Sequence, residues 1–237
     1  MLYTLYYLSY FMLIPAFIFT ICAQINVNST FKKMDKYRTG MTGSSAARSI
    51  LDANGLYDVR IERIPGKLTD HYDPRANVIR LSDAVYTNSS AGAVGVAAHE
   101  AGHAVQYAVG YSPIRLRTAI LPVTSIGSNA AMPLFFIGML LNMYYQSVGD
   151  FGYYLMLAGI VFFSLAVFFQ LVTLPVEFNA SRRAMAALDS SGVMSSEELR
   201  ASGKVLKAAA LTYVAALAVS LLNLLRLIMI ASGGRRR

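Results

Sequence analysis

Apolar residues run in four long stretches, at 2–23, 119–141, 151–174 and 208–230, while polar residues collect mainly at 24–118 and 175–207. The third stretch is the cleanest. At about 1.5 Å rise per residue its roughly 24 residues reach ~36 Å, enough for a tilted crossing of a hydrocarbon core near 30 Å. Pro175 is expected to end that helix. The second stretch carries Thr124, Ser125, Ser128 and Asn129 besides Pro122 and Pro133. That mixture predicts a face turned toward a neighbouring helix or a site. A loop at 142–150, without Lys or Arg, joins these two into a hairpin. The first stretch has no basic residue before it and a basic cluster (Lys32, Lys33, Lys36, Arg38) behind it. This is the reverse of a cleavable signal and predicts a retained helix with its N-terminus outside. The last stretch holds Arg226 near its end and is either a full crossing or a half-inserted run, giving three to four transmembrane helices.

The polar segments have their own periodicity. Residues 42–54 read as a helix capped by Ser44 or Ser45 and stopped by Gly55. Residues 57–64 alternate like a strand, Pro65-Gly66-Lys67 turns, and 68–72 and 77–81 read as two short strands joined through 73–76. A helix of small apolar residues follows over 91–109, ended by Gly110 and Pro113, and Ser195-Ser196-Glu197-Glu198 is a capping box opening another. The expected segments are an N-terminal transmembrane helix (1–24), a cytoplasmic α+β portion (25–118), a transmembrane hairpin (119–174), a cytoplasmic segment (175–207) and a C-terminal apolar helix with a basic tail (208–237).

Composition sharpens this. Of 237 residues, 55% are hydrophobic and 14% charged, against about 25% charged in soluble domains. The single cysteine, Cys22, rules out a disulfide within the chain and a Cys-rich zinc site. The net charge of +8 would suit nucleic acid in a soluble protein. Here the bases flank apolar runs, so membrane lipid is the expected partner and nucleic acid is not. Segments 24–118 and 175–207 hold 17 of the 21 Lys and Arg. An even number of crossings separates them, and the positive-inside rule puts both in the cytoplasm of a multi-pass cell-membrane protein. No oligomeric state follows.

Candidate chemistry sits in His99-Glu100-Ala101-Gly102-His103, an H-E-x-x-H holding two of the three histidines in the chain. On a helix, residues four apart share a face, so both imidazoles can meet one Zn²⁺, with Glu100 beside them as general base. A catalytic zinc takes three protein ligands. The extended H-E-x-x-H-x-x-G-x-x-H fails, since Gln106 and Val109 stand where its Gly and third His would be. His71 lies upstream on or beside a strand. Of the later carboxylates, Asp150 falls across the membrane, Glu197 and Glu198 open a helix, and Asp189 sits in a turn. Glu177 comes three residues after an unbroken apolar span, where a charge deep in the membrane costs about 2.5–3.5 kcal/mol. A metal would offset that penalty; reaching headgroups or pairing with Arg182 or Arg183 would too. For an oxyanion, His71, Tyr72, Arg182 and Arg183 are candidate donors. The short strands could offer an edge to an extended substrate or simply cover the helix.

Three stretches together, Asp70-His71-Tyr72-Asp73-Pro74-Arg75, residues 99–106 and residues 174–184, resemble the neutral zinc metallopeptidases of the YugP type over nearly the whole chain. More distantly the pattern is similar to membrane gluzincins of the CAAX prenyl protease and heat-shock membrane protease kind, which carry H-E-x-x-H and a later E-x-x-A-D. Glu177 to Ser181 matches that register, with Ser181 where Asp stands in those families. The resemblance implies an α-helical multi-pass membrane protein with a small α+β zincin-like catalytic portion on the cytoplasmic side. It implies one Zn²⁺ per chain on His99, His103 and Glu177, and Glu100 as the catalytic base, with His71 a further catalytic candidate. Asn179, Ser181, Arg182 and Arg183 would surround the ligands. The implied activity is that of a zinc endopeptidase cleaving membrane-associated proteins or peptides through a water activated at the metal. The rivals are a zinc-holding scaffold or chaperone without turnover, and a carrier suggested by the polar residues at 124–129, Gln170 and Arg226.

Overall fold

A computed structural model describes residues 11–144 and 149–234. Outside them lie the start of the first apolar stretch with the N-terminus, residues 145–148 of the expected loop at 142–150, and the tail Arg235-Arg236-Arg237. The elements in chain order are α1 (Leu13–Met34), α2 (Gly43–Ala53), β1 (Arg60–Ile64), β2 (His71–Asp73), β3 (Val78–Ser82), α3 (Asp83–Tyr86), α4 (Ala91–Ala108), α5 (Ser112–Tyr144), α6 (Gly149–Ser190) and α7 (Ser196–Gly234). Among the described residues, α1, α5, α6 and α7 are long and apolar enough to cross a membrane. The protein is thus a mostly helical membrane protein carrying one small sheet.

Two expectations about these helices need correction. Pro175 does not end its helix: α6 continues through it to Ser190. Proline removes one ladder donor, and in a long apolar helix the remaining bonds hold the rod together. The polar residues of α5 also do not all turn inward. Thr124 is buried, whereas Ser125, Ser128 and Asn129 are exposed. Thr124 donates to the carbonyls of Ile120 and Leu121, and Ser128 to that of Ser125. These hydroxyls are satisfied by their own helix and need no neighbour.

The chain divides into two units. The described parts of Met1–Cys22, Leu116–Thr173 and Tyr213–Arg237 form the first. It is built by close backbone approach. A Cβ on Gly138 would lie 2.5 Å from the Gly152 carbonyl oxygen, and one on Gly159 would lie 2.7 Å from that of Ala131. Small residues at such crossings let membrane helices gain dispersion energy where no hydrophobic drive exists.

Ala23–Arg115 and Leu174–Thr212 form the second unit. Its sheet has the order β1-β3-β2, with β3 parallel to β1 and antiparallel to β2. β1 and β2 are shorter than the alternation suggests, and β3 is shifted by one residue. Val78, Ile79 and Leu81 of the central strand are fully buried. Arg80, between them in sequence, pairs with Asp73 and Glu62 on the flanking strands. Helix α2 begins from a Thr42 cap rather than from Ser44 or Ser45. Ser45 is its N3 residue and returns the bond to the Thr42 N–H, which completes a capping box. The box at Ser195 forms as expected, with reciprocal bonds to Glu198. Helix α4 starts from Ser90, whose Oγ accepts the Ala93 N–H, and stops at Gly110, where φ is +64°. Its small residues admit neighbours closely. Ser202 of α7 packs on Gly95 and donates to the Ala91 carbonyl at 2.6 Å.

Candidate metal centre

His99 and His103 are four apart on α4, so their rings stack on one face, 4.7 Å between centroids and edge to face. The helix opposite is the end of α6. Val176, Ala180, Ala184 and Leu188 make its buried stripe at helical spacing, and Glu177 lies beside that stripe, 3% exposed. Gly102 sets how near the helices come: a Cβ there would lie 2.6 Å from the Ala180 carbonyl oxygen. At this spacing Glu177 Oε2 is 3.2 Å from His99 Nε2 and 3.4 Å from His103 Nε2.

These distances suit a metal ion. Two atoms each 2.0–2.1 Å from one tetrahedral zinc are about 3.3–3.4 Å apart. Among the described residues this is the one group of three or more His, Cys, Asp or Glu whose ligand atoms lie close enough, within 4.8 Å of one another, to hold an ion. The remaining carboxylate candidates lie elsewhere. Asp150 and Asp189 are exposed, and Glu198 is spent on the cap of α7.

Each imidazole is held on its far nitrogen. Ser181 Oγ is 3.1 Å from His99 Nδ1. Gln106 Oε1 is 3.0 Å from His103 Nδ1. Gln106 is fully buried and was visible in the sequence only as a residue spoiling the longer motif. Its position three after His103 was the available signal, because i and i+3 share a helix face. Asn179 takes part through Gln106 and not by touching a histidine, and Arg183 Nε donates to Asn179 Oδ1 at 2.8 Å. Arg182 is exposed. Burial alone would lower the His103 pKa, but the Glu177 hydrogen bond, the charges of Glu100 and Glu177 and the Gln106 contact outweigh it and hold the ring above its ordinary value.

Glu100 is buried beside the pair, and its Oε2 accepts the Tyr72 N–H at 3.0 Å. Strand β2 therefore runs along α4, and its outward main-chain donor meets the carboxylate. The Tyr72 hydroxyl is turned to Asn77 Oδ1, 3.0 Å away, and so is not aimed at the group. His71 is exposed on β2, its Nδ1 2.9 Å from the Thr69 carbonyl, and is not among the three possible ligands. Asp70 was not singled out as a site residue. Burial raises its carboxyl above the usual range; bonds from Ser82 oppose this and the Glu100 charge adds to it. A cavity of about 640 Å³ in this unit is lined by Ile50, Gly102, Val105, Arg183 and Leu188 among others. None of the three ligand candidates reaches it.

The family model described as "Putative neutral zinc metallopeptidase" matches residues 9–232. A protein of Bacillus subtilis (strain 168), described as "Putative membrane protease YugP", is 49% identical over 227 residues, which is 95% of this chain and 97% of that relative. No solved structure matches the chain.

Proposed function

Since the chain belongs to the neutral zinc metallopeptidase family, we propose that it is a membrane-embedded, gluzincin-like endopeptidase with one zinc on His99, His103 and Glu177. The observation that carries this is a single carboxylate oxygen 3.2 and 3.4 Å from two Nε2 atoms. Three neutral or anionic donors, with no fourth in the group among the described residues, suit a catalytic zinc, which keeps one position open. When bound, the ion supplies Lewis acidity that polarises a peptide carbonyl and acidifies a water.

The chain's own residues do the rest. Glu100 takes the proton from the attacking water and delivers it to the leaving amine. The Tyr72 N–H keeps one of its oxygens occupied and so orients the other. Ser181 and Gln106 hold the two imidazoles from behind. Strand β2 is the edge along which an extended substrate segment would lie, and His71 on that strand is the exposed donor nearest in sequence. The substrates are membrane-associated proteins or peptides, because Glu177 follows the apolar span of α6 by three residues. By the distribution of Lys and Arg the site faces the cytoplasm and the N-terminus lies outside.

Metal analysis of the purified protein beside Glu177→Ala, Asp189→Ala and Glu100→Gln tests the reading. Wild type, Asp189→Ala and Glu100→Gln should hold about one zinc, Glu177→Ala should lose it, and Glu100→Gln should no longer cleave a membrane-protein substrate. Full zinc in Glu177→Ala, or full cleavage by Glu100→Gln, would refute it.

A further inference from the structure

The side chain behind His103 does more than touch it. Gln106 Nε2 lies 2.8 Å from the Val176 carbonyl and 3.0 Å from Asn179 Oδ1. A carbonyl can only accept, so the amide nitrogen must face Val176 and the amide oxygen must face His103. The orientation of Asn179 is forced in the same manner. Arg183 Nε can only donate, so Asn179 presents its oxygen to the guanidinium, and that oxygen also takes the second Gln106 N–H. Both amide hydrogens are then used, and Gln106 Oε1 is left as a pure acceptor 3.0 Å from His103 Nδ1.

We propose that Gln106 is a positioning residue which, oriented by Val176, Asn179 and Arg183, holds His103 as its Nδ1–H tautomer with the Nε2 lone pair turned to Glu177. Its importance for metal rests on the zinc reading above; the tautomer itself does not. The proton on Nδ1 is retained throughout, so a metal and a second proton compete for Nε2 alone. The arrangement spans two helices at helical spacing, His103 and Gln106 on α4 and Val176, Asn179 and Arg183 on α6. It therefore exists only where the two are docked. His99 differs. Its partner is the Ser181 hydroxyl, which donates or accepts equally and imposes no tautomer. One ligand is preset and the other is adaptable. A buried glutamine with both ends committed is costly to misplace, since reversing it sets oxygen against carbonyl oxygen.

The test is the tautomer of His103 in the metal-free, detergent-solubilised protein, read from long-range proton–nitrogen couplings of the three imidazoles at a pH where they are neutral. Chelator competition then gives zinc affinity. Wild type should show Nδ1–H at His103. Gln106→Met, similar in length and without polar ends, should shift His103 toward Nε2–H and weaken zinc about 10- to 100-fold, with the His99 signals unmoved. Where that variant fails to fold, Gln106→Leu, which also lacks an acceptor for the Nδ1–H, should give the same shift. An Nε2–H tautomer in wild type, or an unchanged tautomer in both Gln106→Met and Gln106→Leu, overturns the proposal. Wild type that shows Nδ1–H but binds no zinc upholds the positioning and sinks the peptidase reading instead.

Discussion

Gly102 offers the sharpest test of how the centre is assembled. Alanine at this position would favour an isolated helix by about 1 kcal/mol. Against that stands the Ala180 carbonyl, 2.6 Å from where the new Cβ would lie, with the Ala180 Cα and carbonyl carbon at 3.3 Å. All three are backbone atoms, so no rotamer change relieves the clash. Ordinary contact begins near 3.4 Å, and α4 and α6 must part locally by about 0.8 Å. Overpacking of this kind costs about 1–3 kcal/mol, which exceeds the helix gain. The larger effect falls on metal. Ligand distances tolerate about ±0.2 Å, and the displaced backbone lies one turn from Glu177 on α6 and next to His103 on α4. Gly102→Ala should therefore lose at least 100-fold in zinc affinity, by competition with a chromophoric chelator, while its melting temperature without metal falls only by several degrees. Zinc affinity equal to wild type would refute the idea that close approach at this glycine sets the ligand spacing.

Two further outcomes follow from the electrostatics and the caps. His103 is held above its ordinary value near 6.5, and zinc needs its Nε2 unprotonated. Zinc affinity should be flat at high pH and fall as pH drops, the break lying above pH 6.5. In the metal-free protein the sign reverses: the raised value adds stability below the unfolded pKa and loses it as pH rises through the folded one. Thermal melts with and without zinc should thus move in opposite directions across this window, and parallel shifts would contradict the assignment. At the start of α2, Thr42→Ala removes the cap to Ser45 and should lower stability by about 1 kcal/mol in thermal unfolding of the metal-free protein, leaving the zinc content intact.

The parts readable from sequence are those where one strong term decides. Long apolar runs have no alternative to helix in a membrane, so α1, α5, α6 and α7 could be placed. The i, i+4 spacing of His99 and His103 needs only a helix to become a shared face. Glu177 stood out because a lone carboxylate after an apolar run is expensive. Where several small terms compete, the reading failed. Pro175 sacrifices one hydrogen bond, which a 42-residue helix absorbs. The Thr124 and Ser128 hydroxyls bond carbonyls of their own helix and carry no information about neighbours. Gln106 looks like any polar residue until α6 brings Val176 and Asn179 to it, and Tyr72 contributes its peptide N–H, which residue type does not reveal.

The unbroken course of α6 past Glu177 has a bearing on chain length. Had the segment opened into a loop there, an extra residue beside the acid could be taken up as slack. On a rod, a residue inserted between Glu177 and Ala180 swings the acid by about 100° against the buried Ala180, Ala184 and Leu188 that face α4, and turns it off the histidines. The interval between this carboxylate and Ala180 is consequently a matter of phase, which a substitution leaves intact and an insertion or deletion does not.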